Sequence, residues 1–199
     1  MLKSSFTSNK IEAGCDEVGR GCLAGPVVAA AVILPKNYLH DILNDSKQLT
    51  REERIQLTEE IKKEAISWAV AEISNVEIDK SNILKASFKA MHLALDKLTV
   101  KPDLLLIDGN RFHPYGELAF ECIIKGDGKY LSIAAASVLA KTYRDELMIK
   151  LSEQYPGYAW ETNVGYPTEE HRDGIRSLGI TPYHRRSFQL LPTQLELFN

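Results

Sequence analysis

Cysteine is scarce in this chain and badly placed for crosslinking. Cys15, Cys22 and Cys122 form no Cys-x-x-Cys pair, which excludes a disulfide scaffold and a zinc finger and fits a reducing compartment. Long apolar runs are also missing. The longest, Val27 to Leu34, has eight residues, far below the roughly 20 that span a bilayer as a helix. The first ten residues are polar, with Ser4, Ser5, Thr7 and Ser8, and lack the apolar stretch of a secretory signal. They read as a flexible N-terminus, 1–10, of a cytoplasmic protein with no membrane partner. Neither sign of charge is in excess: 24 Lys and Arg stand against 27 Asp and Glu, net −3. Bulk charge therefore argues neither for nor against nucleic acid. No G-x-S-x-G is present, and no cysteine sits in a nucleophile motif. The glycine-rich stretch Gly19 to Gly25 lacks G-x-G-x-x-G spacing and leads into Pro26 and a strand, where a dinucleotide fingerprint demands a helix.

What is there is the composition of one globular domain: 199 residues, 44% hydrophobic and 26% charged. A chain of this length buries roughly 70% of its unfolded surface, enough to fold without a disulfide or structural metal. Ile11 to Asp16, a glycine-rich turn, and Val27 to Leu34 read as strand, turn, strand. Thr50-Arg51-Glu52-Glu53 is a capping box opening a helix to about Ala65. Ser67 to Ile73 reads as a strand. A second box at Ser74 precedes Leu84, Phe88, Met91, Leu95 and Leu98, whose spacing predicts one core-facing helix stripe. Leu104 to Ile107 and Ala119 to Ile124 read as strands, each running into an acidic turn. Ser132 to Leu151 predicts a long helix stopped by Pro156-Gly157, and Thr168 to Leu178 a shorter one closed by Gly179. The expected fold class is α/β, a mixed β-sheet flanked by helices with a small helical C-terminal extension.

Acids stand at three predicted strand ends: Asp16 with Glu17, then Asp108, then Asp127. One such acid is commonly a turn residue, but strand ends of an α/β sheet face a common crevice, where several carboxylates can converge. Converging carboxylates repel, and their natural counter-charge is a divalent cation. Oxygen ligands without a His or Cys cluster favour Mg²⁺ or Mn²⁺. Two such ions would direct a water at a phosphodiester and stabilise the leaving oxygen without a nucleophilic side chain. Adjacent residues on a straight strand point to opposite faces, so Asp16 and Glu17 share a site only where the strand ends or twists. Arg20 in the glycine-rich turn is a candidate phosphate contact, the alternative being a tight turn alone. Arg172, Arg176, Arg185 and Arg186, with His171 and His184, read as a late basic patch for a phosphate backbone or as solvated helix charges. Lys47, Lys125, Lys129, Lys141 and Arg144 could extend it. Tyr166, on a glycine-proline loop, is either a packed lid or a ring that stacks on a base or sugar.

Taken together, the motifs resemble bacterial ribonuclease HII. They are Asp16-Glu17-Val18-Gly19-Arg20-Gly21, Leu23-Ala24-Gly25-Pro26, Asn44-Asp45-Ser46-Lys47, Asp108-Gly109-Asn110, Lys125-Gly126-Asp127, Ala134 to Lys141, Gly165-Tyr166-Pro167-Thr168 and His184-Arg185-Arg186-Ser187-Phe188. The resemblance implies a ribonuclease H-like sheet and a catalytic domain over 11–188. It implies a monomeric, Mn²⁺- or Mg²⁺-dependent endonuclease that cuts the RNA strand of RNA–DNA hybrids and ribonucleotides embedded in duplex DNA, leaving 5′-phosphate and 3′-hydroxyl ends. Asp16, Glu17, Asp108 and Asp127 would be the catalytic metal ligands. Gly19, Arg20 and Gly21 would sense the 2′-hydroxyl, Lys47 and Arg185 would bind substrate, and Tyr166 would stack beside the RNA-to-DNA junction. One departure is visible: Asn163-Val164 stand where the family often carries His-Lys. The tail, 189–199, continues past the last motif. Its Gln194-Leu195-Glu196-Leu197-Phe198 resembles peptides that dock on the DNA polymerase sliding clamp, with Gln194, Leu195, Leu197 and Phe198 as contacts. The competing expectation is that the tail packs on this protein's own core.

Overall fold

The structure is a computed structural model, and it describes residues 2–191. Among the described residues, five strands form one mixed sheet in the order β3-β2-β1-β4-β5. They are β1 Glu12–Val18, β2 Val27–Ile33, β3 Ser67–Ile73, β4 Leu104–Asp108 and β5 Phe120–Ile123. The first three run antiparallel, β1 to β2 through the glycine-rich turn and β2 to β3 through a longer connection that carries a helix, whereas β4 returns through two helices to pair with β1 in parallel and β5 pairs in parallel with β4. The carboxyl ends of β1, β4 and β5 therefore open on one side of the molecule, where an α/β sheet offers its crevice.

Helices cover both faces. On one side, α2 Asn75–Lys80 and α3 Ile83–Asp96 pack on Cys15, Ala29, Ala31 and Ile107. On the other, α1 Arg51–Glu64 and the long α4 Leu131–Gln154 cover Val28, Ala30 and Val32. Strand β2 is buried on both faces, which is why Val27–Ile33 is apolar without alternation. Two small helices, α5 Trp160–Asn163 and α6 Glu169–Leu178, form the C-terminal extension. The expected fold class holds.

Capping chemistry decides the helix starts. Thr50 and Glu53 make the reciprocal box expected for α1, and Thr168 caps α6. The Ser74 cap opens only a six-residue helix, because Asn82 accepts from the Lys85 N–H and starts a new one. In α3 the deepest apolar residues are Ala86, Ala90, Met91, Ala94 and Leu95. Alanines bring this helix close to the sheet. Phe88 instead meets Phe112 edge-on at 6.0 Å, and Leu98 lies beyond the helix end.

The N-terminal segment is not the flexible appendage its composition suggested. Lys3 N–H donates to Lys129 O at 2.8 Å, and Leu131 N–H donates to Lys3 O at 2.9 Å. The buried Glu12 carboxylate gathers the Phe6 and Thr7 N–H groups. Local polarity had hidden partners more than a hundred residues away. At the other end, 189–191 begin packed on the domain: Arg172 donates to Leu190 O and Leu190 lies against the α4–α6 core. The clamp-like residues Gln194, Leu195, Leu197 and Phe198 lie outside the described residues.

Candidate active site

Three of the four acids meet. Asp16, Asp108 and Asp127 each offer a carboxylate oxygen, and these atoms lie within 4.8 Å of one another. Strand register explains the meeting. Gly14 pairs beside Leu106, and both face α4: a Cβ on Gly14 would lie 2.2 Å from the Ser132 carbonyl carbon, and Leu106 packs on Ile133. Two residues further along their strands, Asp16 and Asp108 share that face. Asp127 arrives from the 3-10 turn Gly126–Gly128, which is anchored by the Gly126 N–H donating to Asp108 Oδ1 at 2.7 Å.

Burial and the neighbouring charges of Glu17 and Asp108 hold the Asp16 carboxyl well above the usual carboxylate range. Burial, Asp108 and Asp45 raise Asp127 in the same direction. Converging, half-desolvated oxygens of this kind are stabilised by a hard divalent cation, and the donor set fits Mg²⁺ or Mn²⁺. Glu17 stands outside the triad. Strand β1 runs on through Val18, so Glu17 takes the opposite face, where its carboxylate meets Arg20 Nη1 at 3.1 Å. Burial nevertheless raises the Glu17 carboxyl, the Arg20 charge opposes that rise, and Asp108 adds to it. Its charge is felt at the site.

Around the triad, Lys47 reaches in from the turn Ser46–Gln48, its Nζ 3.6 Å from Asp45 and 3.9 Å from Asp127. Ser46 Oγ and Ser137 Oγ lie 2.9 Å apart, tying this turn to α4, and Ser137 beside Asp16 opposes the rise of its carboxyl. Asp45 and Ser137 are site residues that sequence reasoning missed. Both lay inside quoted motifs, but Ser46 and Ser137 are 91 positions apart and only folding shows their contact.

The glycine-rich turn follows β1 directly and packs against the Tyr166 loop, with Leu23 N–H donating to Gly165 O at 2.8 Å. Gly19, at φ +92°, leaves no room for a side chain, since a Cβ would sit 2.2 Å from Arg144 Nε. Gly21 faces open space, and the Arg20 side chain is half exposed. Tyr166 is half-buried, with Lys141 Nζ 6.0 Å from its ring centroid.

Arg185 is corrected from a substrate contact to a buried clamp. It is fully buried and donates to Gly25 O, Arg20 O and Pro26 O at 3.0–3.1 Å. Arg144, equally buried, holds Pro26 O, Val164 O and Ala24 O. The late basic patch is only partly kept. His171 and His184 are buried and Arg176 is paired with Glu169 and Asp173, while Arg186 stays exposed. A string of basic letters does not say which of them face solvent. Asn163-Val164 are also buried. Asn163 bonds Tyr158 O and Gly165 N–H, and Val164 takes the left-handed φ of +43°.

Comparison with known proteins agrees with this geometry. A family model described as Ribonuclease HII matches residues 13–191. A Ribonuclease HII of Parabacteroides distasonis is 60% identical over 197 residues, covering 99% of each chain. The crystal structure of ribonuclease H2 from Pyrococcus horikoshii superposes with a TM-score of 0.77 at 25% identity, covering 90% of this chain and 94% of that one. The ribonuclease HII in a complex with PCNA from Archaeoglobus fulgidus gives 0.74 at 26% identity, with 94% and 100% covered.

Proposed function

The chain belongs to the ribonuclease HII family, metal-dependent endonucleases that act on RNA–DNA hybrids, and from that premise we propose that it also cuts at single ribonucleotides embedded in duplex DNA. The observation that carries this reading is the convergence of Asp16, Asp108 and Asp127 beside a turn and an aromatic loop that could read a ribose. Mn²⁺ or Mg²⁺ bound by these carboxylates, two ions in this reading, would supply charge stabilisation of the phosphoryl oxygens and activation of the attacking water, and the products would be a 5′-phosphate and a 3′-hydroxyl.

The chain's own residues do the positioning. Asp16, Asp108 and Asp127 would hold a divalent cation, and Glu17 would join them as a ligand only by releasing its contact with Arg20. Lys47, 76% exposed at its side chain, exchanges its contact with Asp127 for a phosphate oxygen of the substrate. The backbone of Gly19, Arg20 and Gly21 approaches the ribose and donates to or accepts from its 2′-hydroxyl, the group that separates RNA from DNA. Tyr166 stacks on the sugar at the junction. Arg144 and Arg185 do not touch substrate; they fix the carbonyls of the sensing turn. The enzyme works in the cytoplasm in this reading; among the described residues, no helix is long and apolar enough to cross a membrane.

The test is cleavage of a duplex carrying one ribonucleotide beside an all-DNA duplex, each with Mg²⁺ or Mn²⁺. A cut at the ribonucleotide alone supports the reading, and no cut, or equal cutting of both, refutes it. Tyr166→Ala should lower the efficiency at that site relative to a long RNA strand by about fivefold or more, since stacking contributes about 1–3 kcal/mol. For the tail we propose docking on the sliding clamp through Gln194, Leu195, Leu197 and Phe198, supported by the PCNA complex of the Archaeoglobus relative. Changing Leu197 and Phe198 together to Ala should abolish clamp binding without lowering thermal stability. A fall in stability with clamp binding retained would assign the tail to the core.

A further inference from the structure

Behind the Tyr166 loop lies a buried polar chain that the proposed chemistry does not use. Thr181 N–H donates to His184 Nδ1 at 2.9 Å. That nitrogen is therefore an acceptor, and the His184 proton sits on Nε2. His184 Nε2 faces His171 Nε2 at 3.1 Å, and Trp160 Nε1–H donates to the same His171 nitrogen at 2.9 Å. Two donors converge there, so the His171 proton sits on Nδ1, 2.9 Å from the backbone oxygen of Tyr166. Every polar hydrogen in the chain points one way, from Thr181 through both imidazoles to Tyr166. Both rings are buried within an aromatic cage made with Tyr158 and Trp160. Burial holds both imidazoles below their ordinary pKa, in keeping with two neutral rings.

The same segment grips the glycine-rich turn from behind. Ala24 bridges His184 in antiparallel fashion, Gly25 N–H donates to Tyr183 O at 2.9 Å, and Arg185 N–H donates to Leu23 O at 2.8 Å. Leu23 N–H in turn donates to Gly165 O, which closes a circuit through Tyr166, His171, His184 and the turn. We propose that His171, backed by His184, is a positioning residue that holds the Tyr166 ring in register with the ribose-sensing turn. This rests on the reading of Tyr166 given above. It makes specificity depend on a hydrogen bond that no substrate touches.

The experiment uses the two isosteric amides of histidine. In His171→Asn the amide nitrogen replaces Nδ1 and can still donate to Tyr166 O; in His171→Gln the amide lies at the Nε2 end and that donor is lost. The readout is kcat/KM at a single embedded ribonucleotide divided by kcat/KM on a long RNA strand paired with DNA, taken well below each variant's unfolding temperature. We expect His171→Gln to lower this ratio about threefold to tenfold, the range for one lost hydrogen bond, and His171→Asn to stay within about twofold of wild type. In a Tyr166→Ala background His171→Gln should change the ratio no further. Equal losses in both amides, or an unchanged ratio in a folded His171→Gln, overturns the proposal. If Tyr166→Ala itself leaves the ratio unchanged, the reading of Tyr166 fails and the proposal falls with it. If only His171→Gln is silent, the proposal fails alone. Should the variants not fold, ¹⁵N NMR of the wild-type histidines decides, because a His171 protonated on Nε2 rather than Nδ1 contradicts it.

Discussion

With its carboxyl held well above the usual range by burial, Glu17 and Asp108, Asp16 opposes folding whenever it is ionised without a cation. Because the folded-state value is raised, stability is lost as pH climbs from the unfolded value of about 4 through the raised one, and a bound cation restores it. Asp16→Asn should therefore melt about 2–5 °C higher than wild type in chelator at pH 7.5, and a divalent cation should stabilise it less than it stabilises wild type. Differential scanning calorimetry with and without Mg²⁺ checks both arms. Asp108→Asn should abolish cleavage while leaving the circular dichroism spectrum unchanged. The amide oxygen can still accept from the Gly126 N–H, but the charge facing the cation is gone. At this scale the triad was legible, since an acid at the end of a parallel strand has one crevice to enter. Arg185 was not: its letter gives the charge, but not the three carbonyls around it.

Helix α4 is the element that turns a sheet into a site. It carries Ser137 toward Asp16, Lys141 toward Tyr166 and the Arg144 clamp, and it lies against β1 at the one position without a side chain. A Cβ on Gly14 would meet Ser132 C at 2.2 Å and Ile133 N at 2.4 Å. Both atoms are backbone, so no rotamer change relieves the clash. Gly14→Ala should push α4 off the strand and cost about 1–3 kcal/mol in urea denaturation. It should also weaken metal binding, because Asp16 and Ser137 separate. The length and alanine-rich character of this helix were visible in the sequence. The role of Gly14 was not, because close approach of two backbones is a property of the packed pair.

For the whole molecule, acid stability is a test of the buried cage. Burial and the neighbouring His171 push the His184 imidazole down from 6.5 to about 4 in the folded protein. The sign follows: an unfolded chain takes up the proton as pH drops below about 6.5, whereas the folded one resists until about 4, so stability is lost across that window, by roughly 2–3 kcal/mol. His184→Gln should be less stable at pH 7 yet show a shallower fall between pH 7 and 4.5 in denaturant titrations. The sequence by itself determined the strands, the capped helices, the acidic turns and the family motifs, because hydrophobic period, capping chemistry and turn residues act within a few positions. Tertiary structure decided the rest. It pinned the N-terminal segment to 129–131, separated Glu17 from the triad, buried Arg144, Arg185 and both histidines, and joined Ser46 to Ser137. Those outcomes turn on which face of a strand continues and on which charges find carbonyls across the fold. Both are settled by contacts between residues tens to more than a hundred positions apart, which no local pattern encodes.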